Sequence, residues 1–319
     1  MMELSKLDAR IPKWDLDNLV VRPCPICTHN MGKTLFLRPD RLKVMQCINC
    51  GIYFVSPSPS LDNLNTFYST YHSTYSRMPK YSPQLLKQTY DKFEPLGDIR
   101  VKKLYSLMKI NDAKILDLGF GQPFLLYLLK QLGAQTYGID IDPKAIEYAT
   151  YMKIHSVHEV NISDYNPDVQ FDAILMTDFV EHPLAPMEFI VRAVSLLRKG
   201  GFVLIWTPNG NGTIEEDEPT TFRIDLEHMQ YFTTLTIIYI ARKLNLEIVH
   251  LETLGQPYLE GIDKEPQEEN PVTKPAFFTI MKSSIKKFIR KNILNEGFEK
   301  LTLPISIGNY HLYTVLKKP

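Results

Sequence analysis

The chain has 319 residues, of which 44% are hydrophobic and 23% are charged, a globular composition that excludes a disordered or fibrous chain. Lysine plus arginine and aspartate plus glutamate both number 36, so no overall positive field attracts nucleic acid. No stretch approaches the roughly 18 apolar residues of a membrane span, and the amino terminus has no apolar signal segment. We therefore expect a soluble cytoplasmic protein, and the length suggests two structural units.

All the cysteines are clustered near the amino terminus as two Cys-x-x-Cys pairs: Cys24, Cys27, Cys47 and Cys50. The intervening nineteen residues, 28 to 46, match the spacing of a four-thiolate zinc site. Four thiolates leave no open coordination position, so the expected Zn²⁺ is structural. Gly51 suits the left-handed exit from the second turn. A disulfide alternative would need an oxidising compartment, and His29 is a rival ligand that the four thiolates make unnecessary.

Residues 57–97 are predicted to be a linker or lid, because they are rich in Pro, Ser and Tyr and have no sustained apolar period. The tyrosines of this region either pack between two domains or contact a ligand: Tyr68, Tyr71, Tyr75, Tyr81 and Tyr90. The predicted organisation is a zinc ribbon over 1–56, this linker over 57–97 and a second domain over 98–319.

From about residue 98 the chain alternates between helical and strand patterns. Helices are predicted at "IRVKKLYSLMKI", "PFLLYLLKQLG", "PKAIEYATYM" and "APMEFIVRAVSLLRKGG"; strands are predicted at "AKILDLG", "AQTYGIDI", "FDAILMTD" and "FVLIWTPN", with "YHLYTVLKKP" as the final edge strand. This alternation predicts an α/β fold with a doubly wound, mostly parallel sheet. Ligands bind such sheets at the carboxyl ends of the strands.

The loop "DLGFGQP" follows the first of these strands and has the character of a cofactor loop. Gly119 and Gly121 are followed by Phe124 where the dinucleotide fingerprint requires a third glycine. Asp117 would repel a pyrophosphate and attract the ammonium and sulfonium groups of S-adenosylmethionine. Asp140, at the end of the next strand, is spaced to accept hydrogen bonds from ribose hydroxyls. Dinucleotide-binding proteins share that acid, so the set as a whole, and not Asp140 alone, indicates S-adenosylmethionine.

Five segments together resemble a known family: "CPIC…CINCGIYFVSPSPS", "ILDLGFGQPFLLYLLKQLGAQTYGIDIDPKAIEYA", "FDAILMTDFVEHPLAP", "LLRKGGFVLIWTPN" and "HMQYFTTLTIIYIARKLNLEIV". The chain resembles class I S-adenosylmethionine-dependent methyltransferases, in the group with an N-terminal zinc ribbon that is linked to sugar and surface-polysaccharide biosynthesis. The resemblance implies a Rossmann-like methyltransferase sheet, a loop that meets the methionine part of the cofactor, and an adenine contact at one of two side chains after the third strand. The cofactor-binding residues expected on this basis are Asp117, Gly119, Phe120, Gly121, Asp140, Ile141, Asn161, Asp164 and Asp178.

Methyl transfer to a hydroxyl requires a base, and three side chains are candidates for the catalytic centre: Glu181, His182 and His228. An imidazole with a pKa near 6.5 accepts a proton at neutral pH. The alternatives are structural roles for both histidines, or a divalent ion held jointly with Glu181. The acidic loop that precedes His228 is long enough to cover an acceptor, and Thr233 or Thr234 is expected to cap the helix that follows.

The leading interpretation is methyl transfer to a small-molecule or sugar acceptor, and nucleic acid is not expected as a partner. An RNA methyltransferase targeted by the ribbon is an alternative, although the ribbon's basic residues are few and are offset by Asp40: Lys33, Arg38, Arg41 and Lys43. A non-catalytic cofactor-binding protein is another alternative. Residues 278–292 form either a basic amphipathic helix that touches a membrane surface weakly or an ordinary solvated helix.

Overall fold

The computed structural model describes residues 12–30, 32–69, 82–211, 214–215, 218–219, 226–254 and 310–319. The predicted amphipathic helix over 278–292 lies outside these ranges, as do Tyr71, Tyr75 and Tyr81. Among the described helices, none combines the length and the apolar character that crossing a membrane requires.

The described elements follow one another in the order below. The strands are β1 (Gly32–Leu37), β2 (Lys43–Cys47), β3 (Tyr53–Val55), β4 (Lys114–Leu118), β5 (Gln135–Asp140), β6 (Ser156–Glu159), β7 (Phe171–Thr177), β8 (Leu197–Pro208), β9 (Ile214–Glu215), β10 (Glu218–Pro219), β11 (Gln230–Tyr231), β12 (Glu247–Leu254) and β13 (His311–Lys317). The helices are α1 (Leu61–Ser69), α2 (Pro83–Tyr90), α3 (Ile99–Leu107), α4 (Phe124–Gln131), α5 (Pro143–Tyr151), α6 (Pro186–Leu196) and α7 (Thr234–Lys243).

Seven strands form the main sheet in the order β12-β13-β8-β7-β4-β5-β6. The five strands from β8 to β6 are parallel, and β13 pairs antiparallel with both of its neighbours. The predicted α/β fold with a mostly parallel sheet is therefore confirmed. Numbered along the chain, the sheet strands run 3-2-1-4-5-7-6, which differs from the 3-2-1-4-5-6 order of dinucleotide-binding folds.

The final strand does not lie at the edge of the sheet, contrary to the sequence prediction. β13 is inserted between β8 and β12, and the five residues from Leu312 to Leu316 are all buried. A strand that is covered on both faces gains more apolar burial inside a sheet than at its edge, and this favours the interior position. The edge is occupied by β12, most of whose residues are only partly buried.

Several helices begin at a residue whose side chain caps the first turn. The side chains of Ser82, Asp98 and Asp142 accept hydrogen bonds from backbone N–H groups in the first turns of α2, α3 and α5. Thr233 caps α7 in a reciprocal arrangement with Thr236, which confirms one of the two expected caps. These caps fix where each helix begins relative to the strand before it.

The helix predicted at residues 185–201 is shorter in the structure. α6 ends at Leu196, and the chain enters β8 at Leu197, which pairs with Phe171 of β7. The two glycines expected to close the helix lie within the strand. A Cβ atom at Gly201 would be 3.1 Å from the carbonyl oxygen of Asp172, so the backbones approach closely there.

A second sheet is formed by the amino-terminal module. Its strand order is β1-β2-β3-β11, so three strands of the cysteine-containing region pair with a strand from residues 230–231. The predicted linker contains α1, α2 and a short 3₁₀ turn at Pro95–Gly97. The domain boundaries at residues 56 and 97 stay predictions.

Candidate functional site

The four cysteine sulfurs lie close enough to bind one metal ion. Cys24 Sγ is 3.5 Å from Cys50 Sγ, and Cys27 Sγ is 3.4 Å from Cys47 Sγ. All four sulfurs lie within 4.8 Å of one another, and none forms a disulfide. Sulfurs bound at ~2.3 Å to a tetrahedral Zn²⁺ would lie ~3.8 Å apart, so the donor set fits zinc. His29 is not part of this cluster in the described structure.

Local geometry and electrostatics agree with a metal cluster. Gly51 has φ of +76°, which confirms the predicted left-handed exit, and a Cβ there would lie 3.0 Å from Leu235 Cβ. The close contact with Cys50 lowers the pKa of Cys24, whereas burial raises the pKa of Cys47. Four thiolates crowded together in this way need a cation to neutralise them.

The cofactor loop is a tight bend between β4 and α4. Gly119 has φ of +64° and Gly121 has φ of +51°, conformations that favour glycine. A Cβ at Gly119 would lie 2.5 Å from the ring of Phe179, so no larger residue fits. The ring of Phe120 turns away from the bend and covers Gly138 of β5, so its predicted contact with the cofactor would come from its backbone.

Asp117 is buried at the carboxyl end of β4. Its side chain is 3% exposed, and its Oδ1 atom has no hydrogen-bond partner within the described part of the chain. Burial raises the pKa of Asp117 well above its ordinary value, and the charges of Asp140 and Asp178 add to this effect against the opposing charge of Arg100. Such a carboxylate gains most from a cationic ligand. The site thus fits the charge of S-adenosylmethionine.

Asp140 is held in place at the neighbouring strand end. Its Oδ2 atom accepts a hydrogen bond of 2.8 Å from the Gly121 N–H, and its Oδ1 accepts one of 2.9 Å from the Asp142 N–H. The next residue, Ile141, exposes 62% of its surface and offers an apolar face beside the acid. Since β4 and β5 are parallel, Asp117 and Asp140 lie close together on the side of the sheet where the strands have their carboxyl ends.

The two residues predicted to contact adenine lie after β6. Asn161 Oδ1 accepts hydrogen bonds from the N–H and the hydroxyl of Ser163, at 3.1 and 2.9 Å. Asp164 is exposed, and its N–H binds the Asn161 carbonyl in a turn. Asn161 thus stabilises the turn that follows the strand, and the adenine contact of either residue stays a prediction.

Asp178 follows β7 at the same edge of the sheet. It has φ of +49°, and the residue as a whole is exposed. Desolvation of its carboxyl group by the surrounding protein raises the pKa of Asp178 to about 6, opposed by the charge of Arg100. Three carboxyl groups therefore converge around the glycine bend.

The sequence analysis missed Arg100, the basic counterpart of these acids. Its guanidinium forms an ion pair with Asp98 at 2.7 Å and lies 5.2 Å from the centroid of the Trp206 ring. Burial alone would lower the pKa of Arg100, but Asp98, Asp178 and Asp117 together raise it. No motif distinguishes Arg100 within an ordinary amphipathic helix, and only the packing of α3 reveals its position.

Glu181, His182 and His228 come together beside this edge. The rings of His182 and His228 are 4.8 Å apart between centroids and nearly perpendicular, at 79°. Glu181 is 1% exposed, and its Oε2 accepts a hydrogen bond of 2.9 Å from Thr207 Oγ1 at the end of β8. One ligating atom from each of the three side chains falls within 4.8 Å of the others, an arrangement compatible with a divalent ion as well as with acid–base chemistry.

Tyr68 of α1 completes the environment of His182. Its hydroxyl lies 2.8 Å from His182 Nδ1 and 3.1 Å from the carbonyl oxygen of Glu227. Because the carbonyl can only accept, we assign the hydroxyl proton to the bond with Glu227 and make His182 Nδ1–H the donor to the hydroxyl oxygen. The lone pair of His182 then resides on Nε2. Burial lowers the pKa of His182 to about 3, with a smaller contribution from His228, so the ring is neutral at physiological pH.

The comparison with protein families identifies the catalytic part of the chain. The model of the family described as "Methyltransferase domain" matches residues 80–251, just over half of the chain. The chain belongs to this methyltransferase family. The match includes strands β4 to β8 and the three acids at their carboxyl ends, Asp117, Asp140 and Asp178. It also includes Glu181, His182 and His228.

Curated relatives match a smaller part of the chain. Ubiquinone biosynthesis O-methyltransferase of Xanthomonas campestris pv. campestris (strain B100) is 27% identical over 124 residues, which cover 36% of this chain and 51% of the relative. The enzyme of the same name from Chromobacterium violaceum is 32% identical over 145 residues, or 40% of this chain and 61% of the relative. The chain thus spans about half the length of the curated relatives it matches.

Among solved structures, the chain is similar to the Burkholderia thailandensis 1,6-didemethyltoxoflavin-N1-methyltransferase with bound 1,6-didemethyltoxoflavin and S-adenosylhomocysteine. That similarity covers 90% of this chain and 99% of the other, with 13% identity and a TM-score of 0.49.

Proposed function

We propose that this protein transfers the methyl group of S-adenosylmethionine to a hydroxyl group of a small molecule. The observation that carries the proposal is the convergence of Asp117 and Asp140 with the Glu181, His182 and His228 cluster at one sheet edge, within the region that matches the methyltransferase family. Relatives with the name ubiquinone biosynthesis O-methyltransferase support an oxygen acceptor. A sugar hydroxyl, as in surface-polysaccharide biosynthesis, falls within the same proposal.

The acids of the edge would hold the cofactor. S-adenosylmethionine supplies an electrophilic methyl group on a sulfonium. Asp117 would balance its ammonium, Asp140 would accept hydrogen bonds from its ribose, and Arg100 would face its carboxylate. Gly119 and Gly121 would let the backbone make this bend beside the cofactor, because both adopt positive φ values that favour glycine.

The two imidazoles would act on the acceptor. Methyl transfer is an in-line displacement, so the protein has to align the acceptor and remove its proton. His228 is the preferred base, because a pKa of about 3 makes His182 a weak proton acceptor. His182 would orient the acceptor through Nε2, and Glu181 would stabilise positive charge that develops on the histidines.

The ribbon gives little support to RNA as the acceptor. Of the four basic residues between its cysteine pairs, Arg38 is 2% exposed and is hydrogen-bonded to buried partners, so it is not available to phosphates. The reduced cysteines are in keeping with a cytoplasmic site of action, which is part of the proposal.

The test is a panel assay for S-adenosylhomocysteine formation with the zinc-loaded protein. A catechol, a nucleotide-linked sugar and a structured RNA serve as acceptors. We expect product with the catechol or the sugar and none with the RNA. Turnover on RNA alone would overturn the proposal in favour of the targeting alternative. Tight binding of S-adenosylhomocysteine without turnover on a broad hydroxyl panel would instead favour a non-catalytic cofactor-binding protein.

A further inference from the structure

The segment that carries His228 is a structural part of the amino-terminal ribbon. β11, which begins two residues after His228, is the fourth strand of the ribbon sheet and pairs with β3. The Val55 N–H of the ribbon also donates to the Met229 carbonyl at 2.9 Å, and the Thr233 hydroxyl donates to the Gly51 carbonyl at 3.3 Å. The backbone on either side of this loop is therefore bonded to the cysteine module.

Arg38 holds the same segment from the inside. Its Nη1 donates to the His228 carbonyl and, at 2.8 Å, to the Tyr231 hydroxyl, while its Nη2 donates to the Leu226 carbonyl. The guanidinium is completely buried and forms an ion pair with Asp40. Asp40 is fixed in turn by the Trp14 indole N–H at 2.8 Å. A planar fork with several fixed partners has little freedom to move.

Arg22, two residues before the first cysteine, ties the two histidine loops to each other. Its Nη1 donates to the Leu184 carbonyl at 2.8 Å, and its Nη2 donates to the Met229 carbonyl at 2.6 Å. Leu184 lies two residues after His182, and Met229 lies one residue after His228. One guanidinium thus spans the backbones that carry both imidazoles. Its Nε atom donates a hydrogen bond of 2.9 Å to the Val55 carbonyl of the ribbon.

We propose that Arg22 and Arg38 are positioning residues that let the ribbon fix the relative placement of the His182 and His228 imidazoles. Neither arginine donates to an imidazole in the described structure; both bind backbone carbonyls, and the two rings are in edge-to-face contact. In this way the ribbon would hold the loops that carry His182 and His228 in fixed positions. This inference rests on the proposed function only where it concerns turnover.

The test uses the full-length, zinc-loaded protein with two kinds of variant. Arg22→Met removes the bridge between the loops. Arg38→Met combined with Asp40→Asn removes the buried arginine without leaving an unpaired carboxylate. Because no buried charge is left unpaired, we expect the double variant to fold. Arg22→Lys is the conservative variant, because lysine keeps the charge but cannot span several carbonyls. Lys43→Met, at an exposed ribbon position, is the matched control.

The principal readout is the imidazole spectrum of selectively ¹⁵N-histidine-labelled protein, together with the affinity for S-adenosylhomocysteine and the zinc content. For Arg22→Met and the double variant we expect shifted or broadened His182 and His228 resonances, with cofactor affinity unchanged within about twofold and full zinc content. With an acceptor from the panel, we expect kcat to fall about 10- to 100-fold with a small change in KM, since small displacements of a catalytic group cost rates of this order. Arg22→Lys should recover only part of this loss.

Unchanged imidazole resonances in both variants, with normal zinc content, would overturn the inference. If the resonances shift but kcat does not change, the positioning role of the arginines is supported and the catalytic role of the histidines is wrong. If cofactor affinity falls as much as kcat, the arginines stabilise the whole fold, and the specific positioning role is wrong. The Lys43→Met control should match the parent protein in every measurement.

Discussion

Two neighbouring regions of the site are assembled differently. The cofactor edge consists of Asp117, Asp140 and Asp178 at the carboxyl ends of the strands, and the acceptor cluster consists of Glu181, His182 and His228. The acids around the glycine bend lie at the carboxyl ends of strands β4, β5 and β7, so the main sheet alone brings them together. The acceptor cluster takes Tyr68 from α1, His182 from the loop after β7 and His228 from a segment paired with the ribbon. The first region needs only the Rossmann-like sheet, whereas the second needs three parts of the chain docked together. Damage to the ribbon should therefore impair turnover more than cofactor binding.

Loss of zinc should separate the two regions most clearly. For Cys47→Ser we expect loss of bound zinc and of methyl transfer, because the apparent binding energy of a structural zinc, ~10–16 kcal/mol, is folding energy of the ribbon. S-adenosylhomocysteine should still bind, since the sheet edge does not contain the metal ligands. Metal analysis, calorimetry and the turnover assay on one preparation provide the measurement. His29→Ala is the control and should keep its zinc. Full turnover without zinc would contradict the comparison.

Substitution of the histidines should give the next largest effect. For His228→Gln we expect kcat to fall ~10²- to 10⁴-fold with cofactor affinity unchanged, as for removal of a general base. His182→Gln should lose less, because the lowered pKa of His182 makes it a poor proton acceptor. Steady-state kinetics of the two variants check the order. If a chelator that leaves the ribbon zinc in place abolishes activity, and Mg²⁺ or Mn²⁺ restores it, the three side chains hold a divalent ion instead.

Much of the cofactor edge could be predicted from the sequence, because its information is local. The cysteine spacing, the glycine bend and the acids at successive strand ends lie within short segments, and strand alternation places those ends together. The position of β13 was predicted wrongly, since its local pattern does not reveal which strands it pairs with.

The acceptor side carries less local information. The bond between Tyr68 and His182 joins residues 114 positions apart, and that from Arg38 to His228 joins residues 190 apart. Tyr68 lies among several tyrosines that the sequence does not distinguish. The sequence likewise does not distinguish Arg38 from the other basic residues of the ribbon. Arg100 likewise depends on how α3 packs against β8. Such contacts follow from tertiary docking, which no short motif specifies.

At the cofactor edge, Asp117→Asn should weaken S-adenosylmethionine binding ~10- to 100-fold. An uncharged amide cannot balance the cofactor's ammonium, and bonds to charged groups contribute ~1.5–3 kcal/mol. Isothermal calorimetry measures the change. Asp112→Asn is the matched control, because Asp112 is exposed and adopts φ of +65°, which asparagine tolerates. Equal affinities of the Asp117 variant and the parent would remove the electrostatic basis of the cofactor assignment.

Cofactor affinity should also depend on pH. The free protein holds Asp117 with a pKa well above its ordinary value and Asp178 with a pKa of about 6. A cationic cofactor favours the ionised carboxylates, so binding releases protons. The titration of Asp178 should lower the affinity by up to about tenfold per pH unit below about pH 6, and protonation of Asp117 should lower it further. Calorimetry in two buffers of different ionisation enthalpy measures the released protons. Affinity that stays constant from pH 5 to 8 would contradict these shifts.

The smallest effect should come from Tyr68→Phe, and it tests how the acceptor cluster is ordered. The Tyr68 hydroxyl gives its proton to Glu227 and accepts from His182 Nδ1, which keeps the His182 lone pair on Nε2. Without the hydroxyl, both neutral tautomers become accessible, and one of them presents N–H where the lone pair belongs. A bond of this kind contributes ~0.5–1.5 kcal/mol, so kcat should fall about 2- to 12-fold with no change in cofactor affinity. The ¹⁵N shifts of His182 should report the mixed tautomers, and Tyr105→Phe at an exposed position of α3 should not alter them. An unchanged tautomer in the Tyr68 variant would mean that the surrounding packing, rather than this hydrogen bond, orders the acceptor side.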